Sequence, residues 1–186
     1  QSGMKKKYSV SVQYPEESRG TGPETEWRQA LASSLKEVIK RNRSTLLFGN
    51  SRTVVEKISR LLNENEDAPL VYAHHGSLSK EIRLIVEKRL KNGELPAIAA
   101  TSSLELGIDI GAVDEVILLE TPYSISSAIQ RIGRAGHRVG DVSRAGFFPL
   151  HPRHLLSAAI LAENIDSGDI EPAAPIENPL DVLAQV

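Results

Sequence analysis

The sequence predicts an α/β fold with a doubly wound, mostly parallel sheet and helices on both faces of that sheet. Two patterns predict it: short runs that are apolar throughout, and longer segments between them whose apolar residues recur every three or four positions. Strands that are apolar throughout are buried on both faces, as in a parallel sheet. Amphipathic helices between such strands cover those faces. The chain has 186 residues, 40% of them hydrophobic, which suits one domain with a sizeable core.

The beginning of the chain is polar. The first four residues, QSGM, resemble an expression scar and are left out of the fold prediction. Residues 5–22 contain proline and glycine without apolar periodicity, and indicate a linker or a strand that leads into the domain. From Trp27 onward the apolar residues have helical spacing, which predicts an amphipathic helix that ends near Arg43.

Five strands are predicted after this helix. Their length of four to six residues and their apolar character distinguish them from the helices between them. They are Thr45–Phe48, Leu70–His74, Pro96–Ala100, Glu115–Leu119 and Ala145–Leu150.

The helices that follow these strands have recognisable starts. Asn50 or Ser51 can cap the first of them, because each side chain can accept a backbone hydrogen bond. Ser79 caps the next helix, and Gly93 ends it. That helix is expected to turn four residues inward: Ile82, Ile85, Val86 and Leu90. The last two helices are predicted over 124–133 and 153–165.

The pattern changes after Gly168, where three prolines interrupt the chain and predict an irregular tail. The tail ends in LDVLA, which resembles a helix cut off as it begins. We therefore expect a scar and linker over 1–22, one domain over 23–166, and a tail over 167–186 that leads to a further domain outside this sequence.

Composition excludes several classes of protein. No apolar run approaches the roughly 18 residues that span a bilayer, and no signal-peptide pattern is present. The absence of cysteine excludes disulfides and thiolate metal sites, and fits a cytoplasmic protein. A net charge of −2 argues against a simple basic module that coats nucleic acid. Arginines nevertheless cluster around a single acid, Asp141, and predict one anion-facing edge: Arg131, Arg134, Arg138, Arg144 and Arg153.

The segment QRIGRAGHR, residues 130–138, holds three of these arginines. Gly133 and Gly136 interrupt the helix there and let the backbone turn tightly towards a phosphate. A guanidinium in such a position can stabilise charge on a phosphoryl group that is being transferred. By spacing alone, an arginine-rich helix end in solvent is an equally good interpretation.

The segment TSSLELGID, residues 101–109, follows a predicted strand. Thr101 and Ser102 offer hydroxyls and backbone amides that suit a phosphodiester backbone. Gly107 permits a bend before Asp109, whose carboxylate could accept from a ribose hydroxyl or orient an arginine. By itself the segment is better explained as an ordinary strand-to-helix cap.

Two further loops carry weaker signals. Ser51 and Arg52 open a helix directly after a strand, where backbone amides can bind a phosphate. His74 and His75 suggest a metal site, but neighbours on a strand point to opposite faces and no acidic cluster accompanies them. A polar loop that leads to a helix cap explains His75 and Gly76 better, with nucleic-acid contact as the second interpretation. No metal site is predicted.

In combination, these loops resemble motifs IV to VI of the second RecA-like domain of superfamily 2 helicases. The resemblance extends from about Trp27 to His154. SLELGID, QRIGRAGH and the tail sequences GDIEP and NPLDVL are most similar to the large helicase-related (Lhr) family. In that family the tail precedes a winged-helix domain. The expected fold is therefore the RecA-like fold of P-loop NTPases.

The resemblance implies a role for particular residues. Arg134 matches the catalytic arginine finger, and Gly107, Asp109, Gln130 and Arg131 match positions around the nucleotide. Residues at positions that hold nucleic acid are Ser51, Arg52, His75, Gly76, Thr101 and Ser102. Many relatives have a second arginine where His137 stands; either His137 has another role, or Arg138 compensates as a second catalytic candidate.

The phosphate loop G-x-x-x-x-G-K-[ST] and an acidic magnesium motif are absent from the sequence. ATP with Mg²⁺ would then bind between this chain and a first RecA-like domain, and this chain alone should not hydrolyse ATP. The resemblance implies 3′-to-5′ movement on single-stranded or forked DNA. An RNA helicase, a translocase that remodels protein–DNA complexes and a non-enzymatic doubly wound nucleic-acid-binding module remain alternatives.

Overall fold

A computed structural model describes residues 7–14, 24–105, 111, 113–136 and 142–168. Within them, six strands form one sheet of order β1-β6-β5-β2-β4-β3, in which every pair is parallel. The strands are β1 (Lys7–Val12), β2 (Thr45–Phe48), β3 (Val71–His74), β4 (Ala97–Ala100), β5 (Glu115–Leu118) and β6 (Val142–Phe147). The helices are α1 (Glu24–Arg41), α2 (Arg52–Asn63), α3 (Lys80–Lys91), α4 (Ile125–Ile132) and α5 (Leu155–Ser167). The predicted doubly wound α/β fold is confirmed.

The central strands contribute to two separate cores. β2, β4 and β5 are buried along their whole length, as their continuous apolar sequences predict. On β2, Leu46 and Phe48 pack beneath α3, α4 and α5, whereas Leu47 packs beneath α1 and α2. Successive side chains point to opposite faces of a strand, so one short strand supports both helical layers.

Serine caps fix where three helices begin. Ser51 Oγ accepts a hydrogen bond from Val54 N at the start of α2, which decides between the two predicted caps. Ser79 and Ser124 cap α3 and α4 in the same way. Each cap satisfies an amide that has no partner within its helix. The loops between strand and cap are therefore short and defined.

Of the two interpretations of residues 5–22, a linker or a strand, the strand is correct for residues 7–12, which form β1. This strand pairs with β6 from Lys7↔Val142 to Val12↔Phe147, so β6 also begins three residues earlier than predicted. Tyr8, Val10 and Val12 alternate along β1 and pack against the core on one face. The expected domain start at residue 23 is thus too late, since the sheet already includes residues 7–12.

The expected inner face of α3 is half wrong. Val86 and Leu90 are buried, but Ile82 and Ile85 are 49% and 58% exposed. The physical reason is the position of β3 at one end of the sheet, which gives the neighbouring helix only a narrow surface to cover. Among the described residues, no helix is both long and apolar enough to cross a membrane.

Two alanine substitutions on α3 test which side chains this helix buries. Leu90→Ala should lower the free energy of unfolding by about 2–5 kcal/mol, because it leaves a cavity in the core. Ile85→Ala, the matched control five residues earlier, should change it by no more than about 0.5 kcal/mol. Urea denaturation measures both values, and equal losses would contradict the orientation of the helix.

Candidate functional site

The expected nucleic-acid residues lie at the carboxyl edge of the sheet, where doubly wound folds bind their ligands. Neighbouring strands bring the loops together in an order that differs from their order in the sequence. Along the edge, the loop after β5 is followed by the loops after β2, β4 and β3. Backbone hydrogen bonds continue the ladder into these loops, from Gly49 N to Ala100 O (3.0 Å) and from Thr101 N to His74 O (3.2 Å).

Arg131 connects two of these loops from the last turn of α4. It is only 3% exposed. Its Nε donates to Glu105 Oε2 at 3.0 Å, and its Nη1 donates to Asn50 Oδ1 at 2.9 Å. The guanidinium also lies 5.4 Å from the centre of the Phe48 ring. Both an acid and an aromatic face therefore compensate the buried charge.

Asn50 extends this network to the loop after β5. Its backbone N donates to Glu120 Oε2 at 2.7 Å, and its Nδ2 donates to Thr121 O at 2.9 Å. One asparagine thus holds the loop after β2 to the loop after β5, while Arg131 holds it to Glu105. Sequence reasoning missed Asn50, Glu105 and Glu120 as functional positions. The sequence signal that could have identified them is a charged or amide residue beside a strand that is otherwise apolar.

Arg134 lies just beyond α4 and is partly exposed. Its Nε and Nη2 donate to one backbone oxygen, Glu105 O, at 3.2 and 2.8 Å. The backbone that follows is tightly placed: Gly136 has φ +70°, and a Cβ there would lie 3.3 Å from Ser143 Oγ. Glu105 therefore contacts two of the three arginines of the motif, Arg131 through its carboxylate and Arg134 through its carbonyl.

The structure separates the expected nucleotide-facing residues by exposure. Gln130 is exposed and Arg134 is partly exposed, so both can contact a ligand. Arg131 points inward and contacts protein groups, which favours a positioning role. Gly107, Asp109 and Arg138 lie outside the described residues, as does His137.

The expected nucleic-acid residues differ in accessibility. Ser51, Arg52, Gly76 and Ser102 are exposed, and Thr101 is partly exposed. Arg52 Nη1 donates to Ser77 Oγ at 3.2 Å, which joins the loops after β2 and β3. His75, in contrast, is 4% exposed, and its Nε2 lies 3.2 Å from Glu56 Oε1. The neighbouring Gly76 backbone is the more accessible group of that pair.

His74 is the last residue of β3, and its two ring nitrogens connect the loop after β4 to α3. It is fully buried, with Nδ1 at 2.9 Å from Ser103 Oγ and Nε2 at 2.9 Å from Glu87 Oε1. Burial lowers the pKa of His74, and the adjacent Glu87 carboxylate opposes that shift only in part. As predicted, the two histidines point apart: His74 meets α3, whereas His75 meets α2. No three potential metal ligands converge within the described ranges.

Removing Arg131 should destabilise the domain strongly. Arg131→Ala leaves Glu105 without its charge partner, so we expect a loss of about 3–5 kcal/mol in the free energy of unfolding. Glu94→Ala is the control, because it breaks the exposed Arg89–Glu94 pair and should cost no more than about 1 kcal/mol. A similar small loss for both variants in urea denaturation would show that the buried pair does not hold the loops.

His74 should make stability depend on pH. Because its pKa is lowered in the folded state, the unfolded chain takes up the proton first on acidification. His74 contributes to the free energy of unfolding above its ordinary pKa of 6.5, and this contribution is lost as the pH falls below that value. The free energy of unfolding should therefore fall more between about pH 7.5 and about pH 5.5 in the parent chain than in His74→Gln.

Glu87, Arg83 and His75 face His74 in both proteins, so their presence is common to the two slopes. Equal slopes for the parent chain and His74→Gln would contradict the lowered pKa.

The chain is similar to known helicases. The Lhr helicase/uracil glycosylase of Escherichia coli (strain K12) is 44% identical over 190 residues, which take in 86% of this chain and 12% of that protein. The ATP-dependent helicase Lhr-Core of Saccharolobus solfataricus is 40% identical over 169 residues, 88% of this chain and 19% of that protein. The chain thus spans less than a fifth of either relative's length.

The structural comparison agrees with the sequence comparison. Mycobacterium smegmatis helicase Lhr, solved bound to ssDNA and AMP-PNP, has a TM-score of 0.86 and 42% identity to this chain. The match covers 97% of this chain and 24% of that one. Residues 30–139 match the family model described as helicase conserved C-terminal domain, and take in the loops of the candidate site up to QRIGRAGH. The chain therefore belongs to the family of helicase conserved C-terminal domains, in the form that Lhr helicases carry.

Proposed function

We propose that this chain is the second motor domain of an ATP-dependent DNA helicase or translocase. It supplies Arg134 to an ATP site that is completed by a first RecA-like domain, and it holds one nucleic-acid strand on the loops after β2, β4 and β3. The observation that carries the proposal is the contact of Glu105 with both Arg131 and Arg134, because it ties the loop after β4 to the arginine motif. Similarity to a helicase bound to ssDNA and AMP-PNP supports it.

The arrangement around Arg134 fits a group that acts on phosphate. Two nitrogens of its guanidinium donate to a neutral carbonyl, Glu105 O, while the carboxylate of Glu105 is paired with Arg131. These two nitrogens can exchange the neutral carbonyl for a more negative phosphate oxygen, because a charged acceptor binds a guanidinium more strongly than a neutral one. A positive charge placed there stabilises the negative charge that develops during phosphoryl transfer. Gln130, exposed on the same turn, is the second candidate contact.

Other parts of the ATP site are assigned by resemblance. Asp109 is proposed to contact the ribose or to steady Arg134, with Gly107 permitting the bend before it at the nucleotide site. Arg138 is proposed to assist Arg134 in place of a second arginine at position 137. ATP with Mg²⁺ supplies the phosphoryl group when bound. We assign the lysine and the acidic magnesium ligands to the first domain, because the sequence of this chain lacks both motifs.

The proposed nucleic-acid contacts are phosphate contacts. Ser51, Thr101 and Ser102 present hydroxyls and amides, Gly76 presents backbone, and Arg52 adds a positive charge at the same edge. Contacts of these kinds position a strand without reading its sequence. His75 contributes through its backbone in this proposal, since its side chain is buried against Glu56.

Coupling between the two sites follows from one short segment. The 3₁₀ turn Ser102–Leu104 carries a proposed strand contact at its start, and Glu105 directly after it holds Arg131 and Arg134. A shift of this turn on binding nucleic acid would move the carbonyl that holds Arg134. Domain closure would then bring Arg134 to the nucleotide, and repeated closure and opening would move the protein along the strand, in the 3′-to-5′ direction that the resemblance implies.

Replacing Arg134 in the complete protein tests the proposal. Arg134→Ala should lower DNA-stimulated ATP turnover by about a thousandfold or more, because arginine fingers contribute factors of that order. Its affinity for single-stranded DNA should change less than about twofold, since the strand contacts lie on other loops. Arg60→Ala, an exposed arginine on the outer part of α2, is the matched control and should leave both quantities unchanged.

Undiminished turnover in Arg134→Ala would remove the finger assignment. The same ATPase assay, with single-stranded RNA in place of DNA, separates the DNA motor from an RNA helicase. A forked-duplex unwinding assay separates a helicase from a translocase that only remodels protein–DNA complexes.

A further inference from the structure

A cavity of about 320 Å³ opens between the loop after β5 and helix α5. It is of the size that binds small organic groups. Its lining combines the buried apolar residues Pro122 and Leu161 with residues that carry hydroxyl and amide groups. The lining includes Thr121, Tyr123, Ser124, Ser157, Ile160 and Asn164.

Tyr123 stands at the rim of this cavity with 90% of its surface exposed. The chain on either side of it is fixed, because Thr121 O accepts from Asn50 Nδ2 and Ser124 Oγ accepts from Ser127 N. An aromatic ring on a fixed loop loses little conformational entropy when a flat partner stacks on it. Ile160 across the cavity is also half exposed and offers a second apolar surface.

The polar groups of the cavity suit a flat ligand with polar edges. Thr121 Oγ1 is buried and has no hydrogen-bond partner among the described residues. A buried hydroxyl without a partner costs free energy, and a ligand that supplies the partner recovers it. Ser157 and Asn164 lie on one side of α5, two turns apart, and both line the cavity. A nucleobase combines apolar faces with edges that donate and accept hydrogen bonds.

The position of the cavity extends the proposed strand track. The loop after β5 is the neighbour of the loop after β2, and the bond from Asn50 Nδ2 to Thr121 O joins the two at 2.9 Å. Ser51 and Arg52, proposed to hold phosphates, follow Asn50 directly. Arg153, exposed one turn before Ser157, places a positive charge on the α5 side of the cavity. Cations therefore lie on both sides of an aromatic surface, as in grooves that bind single strands.

We propose that this cavity takes one unstacked nucleobase from the bound single strand, with Tyr123 stacked on the face of the base. The inference rests on the nucleic-acid part of the proposed function and does not depend on the ATP site. The base is held by shape and stacking, so the contact tolerates different sequences. It differs from the phosphate contacts because it requires the base itself.

Binding of two probes to the 186-residue chain tests the inference. Both are fluorescein-labelled strands of about a dozen nucleotides, one of thymidine and one with the same backbone but no bases. Tyr123→Ala should weaken the thymidine strand about 5- to 150-fold in anisotropy titrations, the range expected for loss of one base–aromatic stack. The affinity of the same variant for the abasic strand should change by less than about twofold. Tyr123→Phe should bind the thymidine strand like the parent chain.

Two control variants keep the outcomes separate. Leu156→Ala removes an exposed apolar side chain of α5 that does not line the cavity, and should not alter binding. Arg52→Ala should weaken both probes by the same factor, because it removes a phosphate contact.

The results distinguish the two proposals. Parent-like binding of the thymidine strand by Tyr123→Ala, while Arg52→Ala still weakens both probes, would overturn the base pocket and leave the strand track intact. Equal losses in Tyr123→Ala and Leu156→Ala would also overturn the pocket, since they indicate an apolar face that associates with other protein. Failure of the parent chain to bind either probe would overturn the strand track and the pocket together.

Discussion

The carboxyl edge of the sheet depends on a buried guanidinium. An arginine taken out of water is tolerated only if charge and hydrogen-bonding partners meet it, and Arg131 finds them in Glu105, Asn50 and the face of Phe48. Glu105 follows β4, whereas Phe48 and Asn50 lie at the end of β2 and just after it, so satisfying one charge fixes two loops relative to α4. The accessible residues at the edge, including Arg134, Ser102 and Arg52, derive their placement from that internal requirement.

Two arginines three residues apart therefore have different tasks. Arg131 is surrounded by protein, whereas Arg134 donates to the Glu105 carbonyl and is partly exposed. The sequence motif by itself assigns both arginines to the nucleotide site, because residue spacing does not show which side chain points inward. Arg131 belongs to the last turn of α4 and Arg134 follows the cap at Gly133, and both reach Glu105, the first through its carboxylate and the second through its carbonyl.

Much of the fold could be predicted from the sequence, because continuous apolar runs and serine caps are local signals. The core strands from Thr45 onward and the caps at Ser51, Ser79 and Ser124 are of this kind. β1 could not be distinguished from a linker, since a six-residue strand at the end of a sheet is stabilised by a distant partner, β6. Likewise, Ile82 and Ile85 follow the helical period, yet the place of β3 at the other end of the sheet determines that they are exposed. The loops were located correctly, but contacts such as Asn50–Arg131 join residues 81 positions apart.

The pairing of β1 with β6 has a practical consequence for anyone who excises this domain from a longer protein. A version that starts at residue 23, the boundary suggested by composition, would strip one side of β6 of its ladder over six residues. The bare amides and carbonyls would then form an open template for pairing with other chains, and edges of that kind promote aggregation. Poor yield from such a version would reflect the missing edge strand and would not indicate that the native domain is unstable.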